Sequence, residues 1–137
     1  MDCLFCKIAS KEISSQKIYE DTNVFAFLDI QPRAPGHCMV IPKSHAEDIL
    51  GLDENKIAPL FSAVKKITGA LQRALSPDGF TIGINHGKAS GQAIDHLHVH
   101  IMPRYYDDKG GSLHTVVDNP PKESLEEIRD RITRELS

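Results

Sequence analysis

No apolar run in this chain of 137 residues approaches the length needed to cross a bilayer, and Met1-Asp2-Cys3 opens no signal peptide. Neither a membrane nor export is therefore expected, and the reading is a cytoplasmic protein. An excess of positive charge is also missing. Sixteen Lys and Arg stand against 19 Asp and Glu, leaving −3 with histidine neutral. A general nucleic-acid binder would carry a basic stripe, so nucleic acid is not an expected partner. Three cysteines are too few for a disulfide framework. Internal repeats and low-complexity runs are lacking as well. The length is that of one domain, able to bury roughly two-thirds of its unfolded surface.

What the chain has in abundance is histidine. Three of its seven fall in His96-Leu97-His98-Val99-His100, followed by Ile101-Met102-Pro103-Arg104. Polar and apolar residues alternate with a period of two, which predicts a half-buried strand. Its three imidazoles share one face, spaced by about 7 Å, and Leu97, Val99 and Ile101 share the other. Pro103 cannot donate to a ladder and should end the strand. Such a row admits three readings. It can be a polar strand face, a three-histidine metal site, or a nucleophile with neighbours that orient it and handle protons.

The remaining pattern is that of an α+β domain. Cys3 to Glu12 suits a short helical turn over a sheet. Strands are expected at Gln16–Glu20, at Val24–Ile30 after an Asp21-Thr22-Asn23 turn, and at His37–Ile41, stopped by Pro42-Lys43. The second run is apolar on both faces, which makes Asp29 at its end unusual: it reaches solvent or has a bound partner. Asp53 can N-cap a long helix whose Ile57, Leu60, Phe61, Val64, Ile67, Leu71 and Leu75 form one stripe. Pro59 should bend it or delay its start. A fourth strand is expected at Phe80–Asn85, and a loop with Gly87 and Gly91 leads into the histidines. Ser124-Leu125-Glu126-Glu127 resembles a capping box and opens a last helix. The fold class is thus α+β: an antiparallel sheet of about five strands with one long helix, a short N-terminal helical turn and a C-terminal helix. Residues 1–106 form the domain, and residues 107–137 an extension of mobile linker and helix. Cys3-x-x-Cys6 is a metal half-site or a redox pair; no strand precedes it, so metal is favoured.

In several motifs the chain resembles the histidine-triad (HIT) family, in its Hint-like branch. His-φ-His-φ-His-φ-φ (φ apolar) is His96 to Met102. Phe27-Leu28-Asp29-Ile30-Gln31-Pro32, Ala34-Pro35-Gly36-His37, Val40-Ile41-Pro42-Lys43, Asn85-x-Gly87 and Gly91-Gln92 follow the family's order. The resemblance spans residues 2 to about 104. It implies a hydrolase or transferase acting at the α-phosphate of a purine nucleotide through a nucleotidyl-histidine. Such an enzyme releases a nucleoside monophosphate (AMP) from a phosphoramidate, acyl-adenylate or dinucleoside polyphosphate.

By the same resemblance His98 is the nucleophile, His100 contacts the phosphate oxygens, His37 is a charge and proton partner, and His96 completes the catalytic set. Asp29 accepts the ribose hydroxyls, and Leu4, Phe5, Ile8, Phe27, Leu28 and Ile30 form the purine slot. Asn85, Gly91, Gln92 and Ala93 belong to the nucleotide site: Asn85 holds the phosphate or ribose region, Gly87 and Gly91 let the backbone approach closely, and Gln92 adds an amide donor. Ala93 and Asp95 depart from the family pattern, where Ser and an aromatic residue are common. Cys3, Cys6, His45 and His96 would hold a structural zinc. A homodimer is implied, with the helix of residues 53 to 75 near its interface. The alternatives are a zinc hydrolase using all three triad histidines, which leaves Cys3 and Cys6 without a role, and a non-catalytic nucleotide sensor or interaction module.

Overall fold

The computed structural model describes residues 2–136. Five strands make one antiparallel sheet: β1 (Lys17–Glu20), β2 (Val24–Leu28), β3 (Cys38–Pro42), β4 (Gly79–Gly83) and β5 (Val99–Arg104), in the order β1-β2-β3-β5-β4. Helix α1 (Leu4–Ala9) precedes them, α2 (Glu54–Leu75) joins β3 to β4, and α3 (Leu125–Leu136) closes the chain. The α+β class expected from the pattern is what the molecule has.

Alternation along the central strands builds two cores. Val24, Ala26, Cys38, Val40, Val99 and Ile101 point one way, against Leu60, Ala63, Val64, Ile67 and Leu71 of α2. Phe25, Phe27, Met39 and Ile41 point the other way, against Phe5 and Ile8 of α1. β2 and β3 are therefore apolar on both faces because both faces are covered. Cys38 is fully buried, and that burial pushes its thiol up to about 12. α1 is only six residues long, but its start is fixed: the Cys6 N–H donates to Cys3 Sγ at 3.4 Å.

Several boundaries differ from the sequence pattern. β5 starts at Val99 rather than His96, because the Leu97 N–H donates to the Ala46 carbonyl at 2.7 Å instead of to β3. The alternation still holds through this irregular stretch: Leu97 joins Val99 and Ile101 in the α2 core. Pro103 lies inside β5, opposite Phe80. The pairing of β3 with β5 ends at Cys38↔Ile101, so Pro103 lies beyond β3 and its missing N–H leaves no gap on that side. Pro42 is likewise the last residue of β3, past the final β3–β5 pair at Val40↔Val99. α2 starts at Glu54 in spite of Pro59, and Asp53 makes no side-chain cap bond. One lost hydrogen bond near a helix end is outweighed by the stripe buried against the sheet. Ser124 does cap α3, accepting from the Glu127 N–H at 3.1 Å.

Candidate active site and metal centre

Three histidines leave the sheet towards α1, and hydrogen bonds fix which ring nitrogen of each carries the proton. His98 Nδ1 lies 2.7 Å from the carbonyl oxygen of His96. A carbonyl only accepts, so Nδ1 is protonated and Nε2 keeps a bare lone pair. Phe5 meets the His98 ring edge-on at 5.1 Å and further restrains it. His37 accepts at Nδ1 from the Arg33 N–H (3.1 Å), which puts its proton on Nε2. That Nε2–H donates to His100 Nδ1 at 2.9 Å, so His100 presents an Nε2–H. A lone pair on His98 and a donor on His100 therefore stand side by side, their ring centroids 5.0 Å apart.

Burial sets the charge of this group. It depresses His37, opposed by the Asp29 carboxylate 3.6 Å away. His100 is pushed down to about 4, first by burial and then by His98 and His37. Burial thus favours the neutral rings of His37 and His100 over imidazoliums. Asp29, half-buried at the end of β2, receives the Gln31 N–H at 2.9 Å on Oδ1 and keeps acceptor capacity on both oxygens.

The loop after β4 needs its two glycines, since Gly87 and Gly91 have φ of +83° and +99°. Its own groups are largely spent within the turn. The Ser90, Gly91 and Gln92 N–H groups bond to Gly87, Lys88 and Gly87 carbonyls. The buried Gln92 also differs from the expected phosphate donor. Its Nε2 hydrogens go to the carbonyls of Glu47 (2.8 Å) and Ile94 (3.0 Å), and its Oε1 accepts from Gly87 N–H at 2.8 Å. Gln92 braces the loop against the backbone at Glu47. Asn85 and Ala93 are exposed at its rim.

Of the six residues expected to form a purine slot, Phe5, Ile8 and Phe27 are buried in the α1 core. Leu28 is half-buried, while Leu4 and Ile30 stand open to solvent. The six thus divide into a packed floor and an accessible edge.

The remaining histidine of the triad faces elsewhere. His96 is wholly buried and donates from Nε2 to the Pro42 carbonyl at 2.8 Å, leaving its Nδ1 lone pair free. That nitrogen lies 3.5 Å from both Cys3 Sγ and Cys6 Sγ and 3.3 Å from His45 Nδ1, and Cys6 Sγ lies 3.4 Å from His45 Nδ1. A tetrahedral zinc with ordinary bond lengths sets its ligands apart by about 3.3 Å for N–N and about 3.5 Å for S–N. The four side chains fit such an ion. Burial and the neighbouring Cys3 push the Cys6 thiol up to about 11, a penalty on the thiolate that a bound dication would offset. Among the described residues the candidate ligand groups are this set and Asp29, His37 and His100; no set joins all three triad histidines.

That backbone carbonyls would orient the nucleophile was expected, but the sequence did not say which groups orient these rings: the carbonyls of His96 and Pro42 and the Arg33 N–H. They are backbone atoms, which every residue has, and no residue type betrays them.

A five-stranded antiparallel sheet with one long helix and a His-x-His-x-His row leading into β5 defines a class, and comparison with known proteins agrees with it. The HIT domain family model matches residues 10–107. The chain belongs to the HIT family. A HIT family protein of Bacillus subtilis, known from its crystal structure, is 37% identical with a TM-score of 0.89, covering 100% of this chain and 99% of that one. The adenosine 5'-monophosphoramidase hnt1 of Schizosaccharomyces pombe is 37% identical over 110 residues, 80% of this chain and 80% of the relative. A zinc-bound histidine triad family protein of Mycobacterium smegmatis is 35% identical with a TM-score of 0.75, over 94% of this chain and 89% of that one. Relatives of this chain thus include a nucleotide hydrolase, and no helix of the described residues is long and apolar enough to cross a membrane.

Proposed function

We propose that this protein hydrolyses purine nucleotides at the α-phosphate through a nucleotidyl intermediate on His98, releasing a nucleoside monophosphate from a phosphoramidate, acyl-adenylate or dinucleoside polyphosphate. The observation that carries this is the 2.7 Å bond from His98 Nδ1 to the His96 carbonyl. It leaves Nε2 as a nucleophile, and it stabilises the positive ring formed once Nε2 bonds phosphorus. His100 Nε2–H donates to a non-bridging oxygen as charge develops there. His37 fixes the His100 tautomer from behind. The leaving group departs with a proton, and water then displaces the ring and restores it to neutrality.

Asp29 accepts the ribose hydroxyls; its two-oxygen acceptor capacity supports that role. Leu4, Leu28 and Ile30 offer the base an accessible edge over the Phe5, Ile8 and Phe27 floor. Cys3, Cys6, His45 and His96 would hold zinc, which as a closed four-ligand ion supplies structure rather than catalysis. It would tie α1 to the histidine stretch, and with it Phe5 against His98. The reading includes a cytoplasmic location, where thiols stay reduced, and a homodimer, for which the exposed Phe61 and Leu75 on α2 offer apolar surface.

The test is chemical trapping. After incubation with adenosine 5'-phosphoramidate and a base quench, the peptide of residues 94 to 104 carries an adenylyl group on His98. His98→Ala yields no adduct and loses turnover by about 10⁴-fold or more. Full turnover in that variant would refute the assignment.

A further inference from the structure

Away from the histidines, three amines converge on one carboxylate. Lys11, in the turn after α1, and Lys17, the first residue of β1, bring their Nζ atoms to 3.0 and 3.2 Å from Glu20 Oε1. Lys43, just past β3, brings its own to 2.7 Å from Oε2. The Glu20 side chain is only 19% exposed, while Lys11 and Lys17 stand open to solvent. Lys11 takes up its place at a φ of +70°, uncommon for a residue with a side chain. Hydrogen bonds from Lys43 first, then Lys11 and Lys17, hold the Glu20 carboxyl down to about 2, so it is charged at neutral pH.

The charges in this cluster do not balance. One ammonium neutralises Glu20, and two are left over. Asp21, the neighbouring acid, is turned into its own hairpin: Oδ2 accepts from the Tyr19 O–H at 2.7 Å and Oδ1 from the Asn23 and Val24 N–H groups, both at 2.8 Å. Even with Asp21 counted the group is positive, on a chain whose net charge is −3. Crowding like charges is unfavourable, and ordering long side chains costs rotamer entropy. A structural ion pair for Glu20 needs one lysine, not three. Among the described residues each amine makes this one polar contact, so each keeps two N–H donors. They border a hollow of about 620 Å³ walled by Lys11, Lys17, Tyr19, Glu20, Asp21 and Lys43. It lies at the far end of β3 from His37, six residues on at roughly 3.3 Å each, and so is distinct from the histidine site.

We propose that Lys11, Lys17 and Lys43 form a second anion site, which takes a phosphoryl dianion: free phosphate or the phosphate of a small organic ester. Such a group offers three equivalent oxygens to three amines, and its two negative charges answer the surplus over Glu20. Glu20 gathers the amines at one point, and its own charge opposes that of the ligand.

The full chain, at pH 7.5 and fixed ionic strength, is titrated with inorganic phosphate and separately with glycerol 3-phosphate. Backbone amide NMR should show saturable shifts at Lys11, Lys17 and Lys43, resolved from any at His98 and His100 that report the catalytic site. Lys11→Gln and Lys17→Gln, at exposed positions, each weaken binding by about tenfold. Glu20→Gln keeps an acceptor for the amines but removes the opposing charge, and tightens binding by about threefold or more. Tighter binding of the ester assigns the site to a phosphorylated small molecule; equal or tighter binding of phosphate assigns it to the free ion. Shifts that fail to saturate in both the parent and Glu20→Gln would overturn the site. So would shifts that sodium chloride reproduces, or that survive both lysine substitutions, leaving the three amines as ion-pair partners of Glu20 alone.

Discussion

His96 and His100 are the same residue, four positions apart on one side of one stretch, and both are held below their ordinary basicity by burial. They nevertheless face different chemistry. His96 gives its Nε2 proton to Pro42 and turns Nδ1 on two thiols; His100 receives a proton at Nδ1 from His37 and turns Nε2–H on the site. Between them His98 has the opposite tautomer, because its Nδ1 proton goes to the His96 carbonyl. The role of an imidazole is thus decided by the partner of its other nitrogen.

The contrast can be broken at either end. Cys6→Ala, at the thiol end, should reduce bound zinc from one per chain to none, with a fall in Tm on the order of 10 °C. Metal analysis and thermal unfolding check this; a variant that retains zinc and Tm would show that the four side chains are not a metal site. His37→Ala, at the other end, should leave zinc and Tm near those of the parent but lower kcat by about 100-fold, the scale of a lost proton-handling partner. Should zinc be lost along with rate in that variant, the two ends are not separate.

Acid provides a milder test. The unfolded chain takes up protons on His100 near pH 6.5, whereas the folded ring resists them until about 4. The unfolded state then binds more protons, so stability is complete above pH 6.5 and is lost as pH falls from there to about 4. The loss attributable to this ring is on the order of 2 kcal/mol. It is read from denaturant unfolding with metal chelated, against His100→Asn, whose curve should be flatter across that window. Parallel curves would contradict the burial argument.

The parts of this design that depend on side-chain type could be read in advance. Alternation placed three imidazoles on one face and Leu97, Val99 and Ile101 on the other, and that survives although the strand itself begins only at Val99. Cys3-x-x-Cys6 marked a candidate metal half-site because thiols at that spacing share one turn, and the fold brings His45 and His96 to them. Long-range pairing was not legible. Pro103 breaks a ladder only where a neighbour is waiting, and whether β3 extends that far is a property of the sheet. Gln92 looked like a donor for phosphate, but its amide is used on the carbonyls of Glu47 and Ile94, distant or ordinary groups that no local pattern marks. The turn of the chain after β5 was equally hidden, since it depends on Arg104 meeting Asp108 and the Gly111 carbonyl together.

The nucleophile depends on where the ring proton of His98 sits, and ring-nitrogen NMR reads it directly. Long-range ¹H–¹⁵N spectra at neutral pH should show His98 protonated at Nδ1 with a bare Nε2, and His37 and His100 protonated at Nε2. A His98 resonance carrying its proton on Nε2 would leave that ring no lone pair for phosphorus and contradict its role as nucleophile.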